Sequence, residues 1–485
     1  MPTQQLVRHL SGWTDPVQAM GLYITALSLF LAPTGVSAGL AVIWLGFLMS
    51  LGAGRRLPMS TGIWFAVMFV AYVLGSGALD NNLGSPVTAR LAAAGDWVQL
   101  SVFVPLAYAL KGGQRRLLRL LALALIGLLI GMLWRLDWGL LWSDAAVFLT
   151  SRPGFGFPAI VFALMSGVVL IGLFTFRARW WKTATDAGFG WRLSAWLIVM
   201  AFVAQAFMLT LSRGAWLALA GALTLAVWMG QPDRRARLSN QKPMRNPLHN
   251  WSHKGAHNGA HNGSGHQDES LADSASAKLP SWLNWVFGLL LLALLALNSG
   301  PIIDRFVEEQ EAVRAMLSGE IDYSAESSLS QRWHAQRFGV AIWLERPWFG
   351  WGPGSSHALI VARGGPPLST DDGRMLDHLH NTYLELLLQF GMVGLALWFG
   401  IFVSLFVSIR RARDLGRLDA DVARFLVVSI VYLSLWNLID FHATHQAWRG
   451  LWALLAGSAL SVGLFATDSA TPESRQTSET ACASR

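Results

Sequence analysis

The sequence predicts an all-α, polytopic membrane protein with about twelve transmembrane helices and one large folded loop between the ninth and the tenth. Three observations carry this. Of the 485 residues, 53% are hydrophobic and 14% are charged, a balance too apolar for a water-soluble chain of this length. Continuous Leu/Ala-rich stretches long enough to cross roughly 30 Å of hydrocarbon as helices recur along the chain. Those stretches also lack the alternating pattern of membrane-spanning strands, which argues against a barrel.

Residues 1–230 contain eight predicted spans, at 16–33, 36–53, 60–78, 90–110, 116–134, 157–176, 191–211 and 213–230. The opening MPTQQLVRHLSGWTDP has neither the basic start nor the small-residue cleavage pattern of a secretory signal, so the first helix is expected to be retained. Residues 231–280 contain SHKGAHNGAHNGSGHQDES, too polar to offset chain entropy by burial, and read as a disordered cytoplasmic linker. The linker's histidines are irregularly spaced and have no cysteine or regular acidic partners, which favours a solvated segment over a metal site. A ninth span follows at 281–299, then a loop at 300–382. The last three spans, 383–409, 421–440 and 447–466, occupy 383–466, and 467–485 is a cytoplasmic tail whose Cys482 is the only cysteine, so no intrachain disulfide forms.

The net charge of +8 acquires meaning only once placed against the membrane. With the N-terminus inside, the short inward loops hold fifteen Lys and Arg, in clusters around Arg55, Lys111, Arg177 and Arg410, against five outward, Arg90, Arg135, Arg152, Arg213 and Arg449. The positive-inside rule therefore puts both termini in the cytoplasm and 300–382 outside. The charge is accounted for by topology, and no nucleic-acid partner is expected.

The outer loop reads as folded. IDRFVEEQEAVRAML and SLSQRWHAQRFGVAIWLER both have helical apolar spacing; Ser328 and Gln331 have capping-box spacing and Pro347 follows the second stop. WFGWGPGSSH (348–357) predicts a glycine-rich turn, and ARGGPPLSTDDGR (362–374) a mobile loop.

Several residues have chemistry to offer. Arg213 lies in a very short outward turn beside Ser212 and Gly214; it is either an interfacial snorkel or an anion ligand at a helix start. Arg332 follows the capping box, and a diphosphate close to hydrocarbon needs at least two cationic forks, so Arg213 and Arg332 are the candidates and Arg337 a weaker third. In LDHLHNTYLELLLQFGMVG, Asn381 is a good N-cap, which sets His380 just outside a helix N-terminus. The dipole there disfavours imidazolium, and a neutral imidazole can accept a proton. His378 is its possible support; both histidines otherwise read as interfacial polar groups. Asp440, near His442, either orients a histidine, contacts acceptor, or pairs with Arg449; the last is favoured on sequence. Asp96, inside the fourth span, is a site candidate unless paired with Arg90. Gly391 and Gly394 are expected to allow close helix packing. Trp333, Trp348 and Trp351 suit either an interfacial belt or stacking on sugars.

Three stretches, SRGAWLALAG, SLSQRWHAQRFGVAIWLERPWFGWGPG and HLHNTYLELLLQFGMVGLAL, resemble in the same order the signature stretches of the bacterial O-antigen ligase family. Its superfamily is shared with O-antigen polymerases and bacterial protein O-oligosaccharyltransferases. The resemblance implies a metal-independent, inverting glycosyltransferase of the C type with no cofactor, in the bacterial inner membrane among its lipids. Its donor would be O-antigen on undecaprenyl diphosphate, its acceptor a sugar hydroxyl of lipid A-core, and its active site periplasmic. Carried over by motif, Arg213 and Arg332 hold the diphosphate and His380 is the general base; Arg337, Asn381, Asp440 and His378 are possible supports. A polymerase or a protein O-oligosaccharyltransferase would use similar residues on another acceptor; the short tail speaks against the latter. A transporter would show repeat symmetry and charges near the midplane, neither of which is apparent here.

Overall fold

A computed structural model describes residues 2–79, 83–180, 189–230, 282–308, 328–369 and 373–465, with residues 310, 313, 314 and 318. The predicted linker (231–280), the tail (467–485) and the end of the helix expected over IDRFVEEQEAVRAML lie outside them. Among the described residues every regular element is helical, apart from one isolated antiparallel bridge between Ser369 and Met375.

Helices α1 (Pro2–Leu31) and α2 (Pro33–Gly52) form a hairpin turned at Ala32, followed by α3 (Thr61–Leu79). Next come α4 (Val87–Val98), a 3-10 turn (Gln99–Val102) and α5 (Phe103–Leu110), then α6 (Gln114–Arg135) and the short α7 (Trp138–Ser143) and α8 (Ala145–Thr150). After them run α9 (Ala159–Thr175), α10 (Arg177–Trp180), α11 (Phe189–Leu209), α12 (Arg213–Met229), α13 (Trp282–Leu297) and α14 (Ser299–Glu308). Then come α15 (Ser328–Glu345) and α16 (Ser355–Arg363), followed by α17 (Thr382–Asp414), α18 (Ala420–Asn437) and α19 (Gln446–Leu464). A helix lies over each of the twelve predicted spans. Among the described residues, seven helical stretches are long and apolar enough to cross a membrane (α2, α3, α4 through α5, α6, α11, α17 and α18), and α9, α12 and part of α13 are apolar but shorter.

Because lipid tails are as apolar as leucine, these helices gain by close packing and internal hydrogen bonds rather than by escape from water. In the first hairpin the Gln18 amide donates to Gly46 O at 3.1 Å and to Ser50 Oγ at 3.0 Å. Where α17 meets α19, Trp398 and Phe402 pack on Trp452, with ring centroids 5.3 and 5.1 Å apart, and Trp448 stacks on Trp452 at 5.6 Å. A second, smaller core belongs to the segment around α15 and α16 and gathers Ala335, Ile342, Trp351, Leu359, Ile360, Leu368, Leu376, Leu379 and Leu388. The segment expected to be a mobile loop is partly regular, with a 3-10 turn at Pro366–Leu368 leading into the Ser369–Met375 bridge. Nor does Gln331 return to Ser328 as a capping box would have it; its amide donates to Ser369 O at 3.0 Å and ties α15 to that turn.

The feature that positions α15 and α16 is a break in α17. Gly391 has φ 62° and ψ −165° inside the run, a conformation essentially restricted to glycine. Leu388 O and Gln389 O accept from Trp351 N and Gly352 N, each at 2.9 Å, while Met392 N and Val393 N donate to Pro347 O and Trp348 O at 2.8 and 3.2 Å. The Tyr72 hydroxyl from α3 donates to Phe390 O at 2.8 Å. PWFGWG thus supplies the broken helix with the backbone partners that hydrocarbon cannot. Gly391 was expected to let helices approach; it instead admits this turn, since a Cβ there would lie 2.3 Å from the Trp348 carbonyl.

Candidate functional site

The site forms where the first turn of α17 meets the turn after α18. Asn381 caps α17, its Oδ1 accepting from Tyr383 N at 3.0 Å and Leu384 N at 3.1 Å, and its Nδ2 donates to Leu438 O at 3.1 Å. The Thr382 hydroxyl faces Asn437 Oδ1 and Asp440 O, at 3.2 and 3.1 Å. These contacts bring Asp440, sixty residues downstream, over the mouth of α17. His380 has φ 52°, a left-handed conformation that is costly for a side chain with a Cβ and persists only where neighbours impose it. Here they do: Leu379 N donates to Glu385 Oε1 at 2.7 Å, and His380 N donates to His378 Nδ1 at 3.2 Å.

Asp440 is 2% exposed and is the hub of the site. Its Oδ1 lies 3.1 Å from His380 Nδ1 and 3.7 Å from His442 Nδ1, and its Oδ2 lies 3.7 Å from an Arg332 terminal nitrogen. The expected Arg449 partner is placed elsewhere: Arg449 reaches back to α4, where it lies 3.8 Å from Asp96 Oδ1 and donates to Gln99. Asp96, for which Arg90 was expected, therefore faces Arg449. Burial pushes the Asp440 carboxyl up, but the hydrogen bond from His380 and the nearby positive charge of His442, His380 and Arg332 outweigh it, holding the group well below the usual carboxylate range. Burial, with the charges of His380 and His442, lowers His378 to about 4 against the pull of Asp440, so this imidazole is neutral at working pH. Burial likewise lowers His442, opposed by Asp440.

Arg332 projects from the second turn of α15, and its Nε is buried with no hydrogen-bond partner. Arg213 is the first residue of α12 and is half-buried, after Ser212 at the N-cap and Leu211 at φ 50°. Gly214 abuts Ile439, a Cβ there lying 2.4 Å from Ile439 Cγ2, so the start of α12 lies beside the residue before Asp440. Arg337 is not brought to this cluster: five residues from Arg332 is about 140° around the helix, and it is exposed, acting on His334.

A second layer escaped sequence reasoning. Glu385, 1% exposed, accepts from Leu379 N, from Gln389 Nε2 at 2.7 Å and from the Ser356 hydroxyl. Gln389 Oε1 in turn accepts from Trp97 Nε1 at 3.1 Å and Gly354 N at 3.0 Å. Every polar atom of the two side chains is engaged, and together they fasten the GPGSS turn and the His380 segment to α17. The available signal was two polar residues one helical turn apart inside an apolar run, YLELLLQ.

Donor atoms of His378, His380 and Asp440 lie within 4.8 Å of one another, a set that suits a transition-metal ion. The Arg332 guanidinium on the other side of Asp440 opposes a cation there.

The matched stretch of the chain runs from α11 through the first half of α17: residues 198–399 match the family model described as O-antigen ligase. This stretch belongs to the O-antigen ligase family. No curated protein matches the chain. The O-antigen ligase stretch contains Arg213, Arg332, His378, His380 and Glu385, and its family is one of ligase- and polymerase-type glycosyltransferases. Asp440 and His442 lie beyond its end, brought to the O-antigen ligase motifs by the packing of α18 on α12 and α17.

Proposed function

We propose that the protein transfers O-antigen polysaccharide from undecaprenyl diphosphate to a sugar hydroxyl of lipid A-core, at the periplasmic face of the bacterial inner membrane. In this reading the chain crosses twelve times, both termini are cytoplasmic, and 300–382 lies outside. The observation that carries it is the contact of His380 Nδ1 with Asp440 beside the Arg332 guanidinium.

The buried carboxylate accepts a hydrogen bond from Nδ1–H, which leaves Nε2 with the free lone pair. As the acceptor oxygen bonds to C1 of the donor sugar, its proton passes to His380 Nε2, and the bond from C1 to the diphosphate oxygen breaks on the opposite face, inverting C1. The departing electron pair stays on the diphosphate, whose growing charge Arg332 and Arg213 receive. Asp440 stabilises the imidazolium until its proton passes to water. A diphosphate held by two guanidinium groups is a competent leaving group, so neither nucleotide nor metal is required by this scheme.

The test uses purified protein with radiolabelled undecaprenyl diphosphate glycan and lipid A-core. Label should appear on lipid A-core without added ATP or metal, and His380→Ala should abolish it while donor binding persists. Label moving instead onto a second lipid-linked glycan would make the protein a polymerase, and a near-normal rate in His380→Ala would remove the base.

A further inference from the structure

Helix α15 carries two apolar faces, where a helix on a water-washed surface needs one. Its inner face, with Ala335, Gly339 and Ile342, is buried in the small outer core. On the opposite side Trp333, Val340 and Leu344, at about 100° of turn per residue, fall within a narrow arc, and they are 45, 38 and 61% exposed. Polar side chains separate the two faces, His334 on one side and Gln336 on the other. Arg337 sits within the exposed arc and has no acidic partner among the described residues.

The exposed face does not stop at the end of the helix. Trp348 and Phe349, 66 and 67% exposed, continue it, and their backbone is fastened to two candidate membrane spans. Val393 N of α17 donates to Trp348 O, and the Tyr72 hydroxyl of α3 faces Phe349 O at 3.2 Å. Next in sequence to Val393, Met392 of α17 is an exposed large apolar side chain, and so is Leu74 of α3, two residues beyond Tyr72. The stripe is therefore continuous with surface that lipid covers.

We infer that the Trp333 to Leu344 face of α15 and the Trp348–Phe349 turn lie in the bilayer interface, in the leaflet that α17 enters at its N-terminus, with Arg337 reaching a phospholipid phosphate. Two exposed tryptophans flanking an apolar stripe suit headgroup depth, and a lone arginine in such a stripe extends its stem over apolar surface and its fork to the anionic layer. One consequence concerns Arg332, about 100° around the helix: it is held at the depth where a lipid-linked diphosphate lies. Arg337 binds the surrounding membrane, which explains its separation from the Asp440 cluster. His380, Asp440 and Arg332 keep their roles whatever medium covers this face.

Cys482 is the only cysteine, so Cys482→Ser provides a background for single nitroxide labels at Val340→Cys, Leu344→Cys and, on the flank, Gln336→Cys. In nanodiscs of phosphatidylethanolamine and phosphatidylglycerol, labels at 340 and 344 should collide several-fold more with oxygen than with a water-soluble nickel chelate, relative to the label at 336. Nickel access at 340 and 344 equal to that at 336 would overturn the inference, and so would dipolar broadening that assigns the face to a second copy of the chain. The unaltered protein gives an independent readout: a carbene-generating phospholipid should label peptides spanning 333–349, and their absence from the labelled set counts against membrane contact even if the cysteine variants fail to fold.

Discussion

Replacing Asp440 by asparagine tests the centre of the proposed chemistry while nearly conserving shape. Asp440 is 2% exposed and its Oδ1 lies 3.1 Å from His380 Nδ1. At that separation and an effective dielectric of about 20, a carboxylate attracts an imidazolium by about 5 kcal/mol. Asparagine retains a dipole but not the charge, and an amide N–H turned toward Nδ1 selects the tautomer that has its proton on Nε2, where the base is needed. The expected loss is about 3 to 5 kcal/mol of transition-state stabilisation, a rate roughly a hundred- to ten-thousand-fold lower. Initial rates of glycan transfer onto lipid A-core, measured against donor concentration, should show the fall in kcat with little change in the donor KM. Because the two residues act as a unit, Asp440→Asn combined with His380→Ala should be no slower than His380→Ala alone. Asp440→Asn retaining more than about a tenth of the normal rate, about 1.4 kcal/mol, would refute the assignment, as would effects that multiply in the double variant.

Arg332→Ala and Arg213→Ala should each raise the donor KM or lower kcat/KM by roughly tenfold or more, the worth of a hydrogen bond to a charged group; unchanged donor titrations in both would rule out the clamp. Gly391→Ala should lower the yield of monodisperse protein and its thermal midpoint sharply, because the new Cβ would lie 2.3 Å from the Trp348 backbone at a φ of 62°; an unshifted midpoint would mean that the turn does not fix the break. Because His378 is lowered from 6.5 to about 4, the unfolded chain binds a proton in that window that the folded protein refuses. Stability should therefore rise with pH from about 4 to about 6.5, His378 contributing up to about 3 kcal/mol, and His378→Asn should flatten that part of the thermal midpoint profile.

What could be read in the sequence and what could not divides along a physical line. Apolar runs declare helices because helix length is set by hydrocarbon thickness, and Asn381 declares a cap because its side chain acts within three residues. Both are local. The break at Gly391 depends on carbonyl and amide partners from Pro347, Trp348, Trp351 and Gly352, so a glycine within an apolar run gave only the commoner reading of close helix packing. Asp440 was misassigned to Arg449 for the same reason. Nine residues separate those two along the chain, but α19 turns Arg449 toward Asp96 on α4, while the turn after α18 folds Asp440 back over Thr382. The two surprises share an origin. The glycine-rich turn that fills the helix break and the Glu385–Gln389 pair that fastens the His380 segment draw on the same few residues at the top of α17, with Gln389 contributing its carbonyl to the one and its side chain to the other. In the proposed reaction the glycines of WFGWGPG act without touching substrate: they let a backbone come close enough to interrupt α17 and so set His380 at its mouth. A signature stretch rich in glycine and tryptophan is on this view a statement about where a helix must stop being a helix.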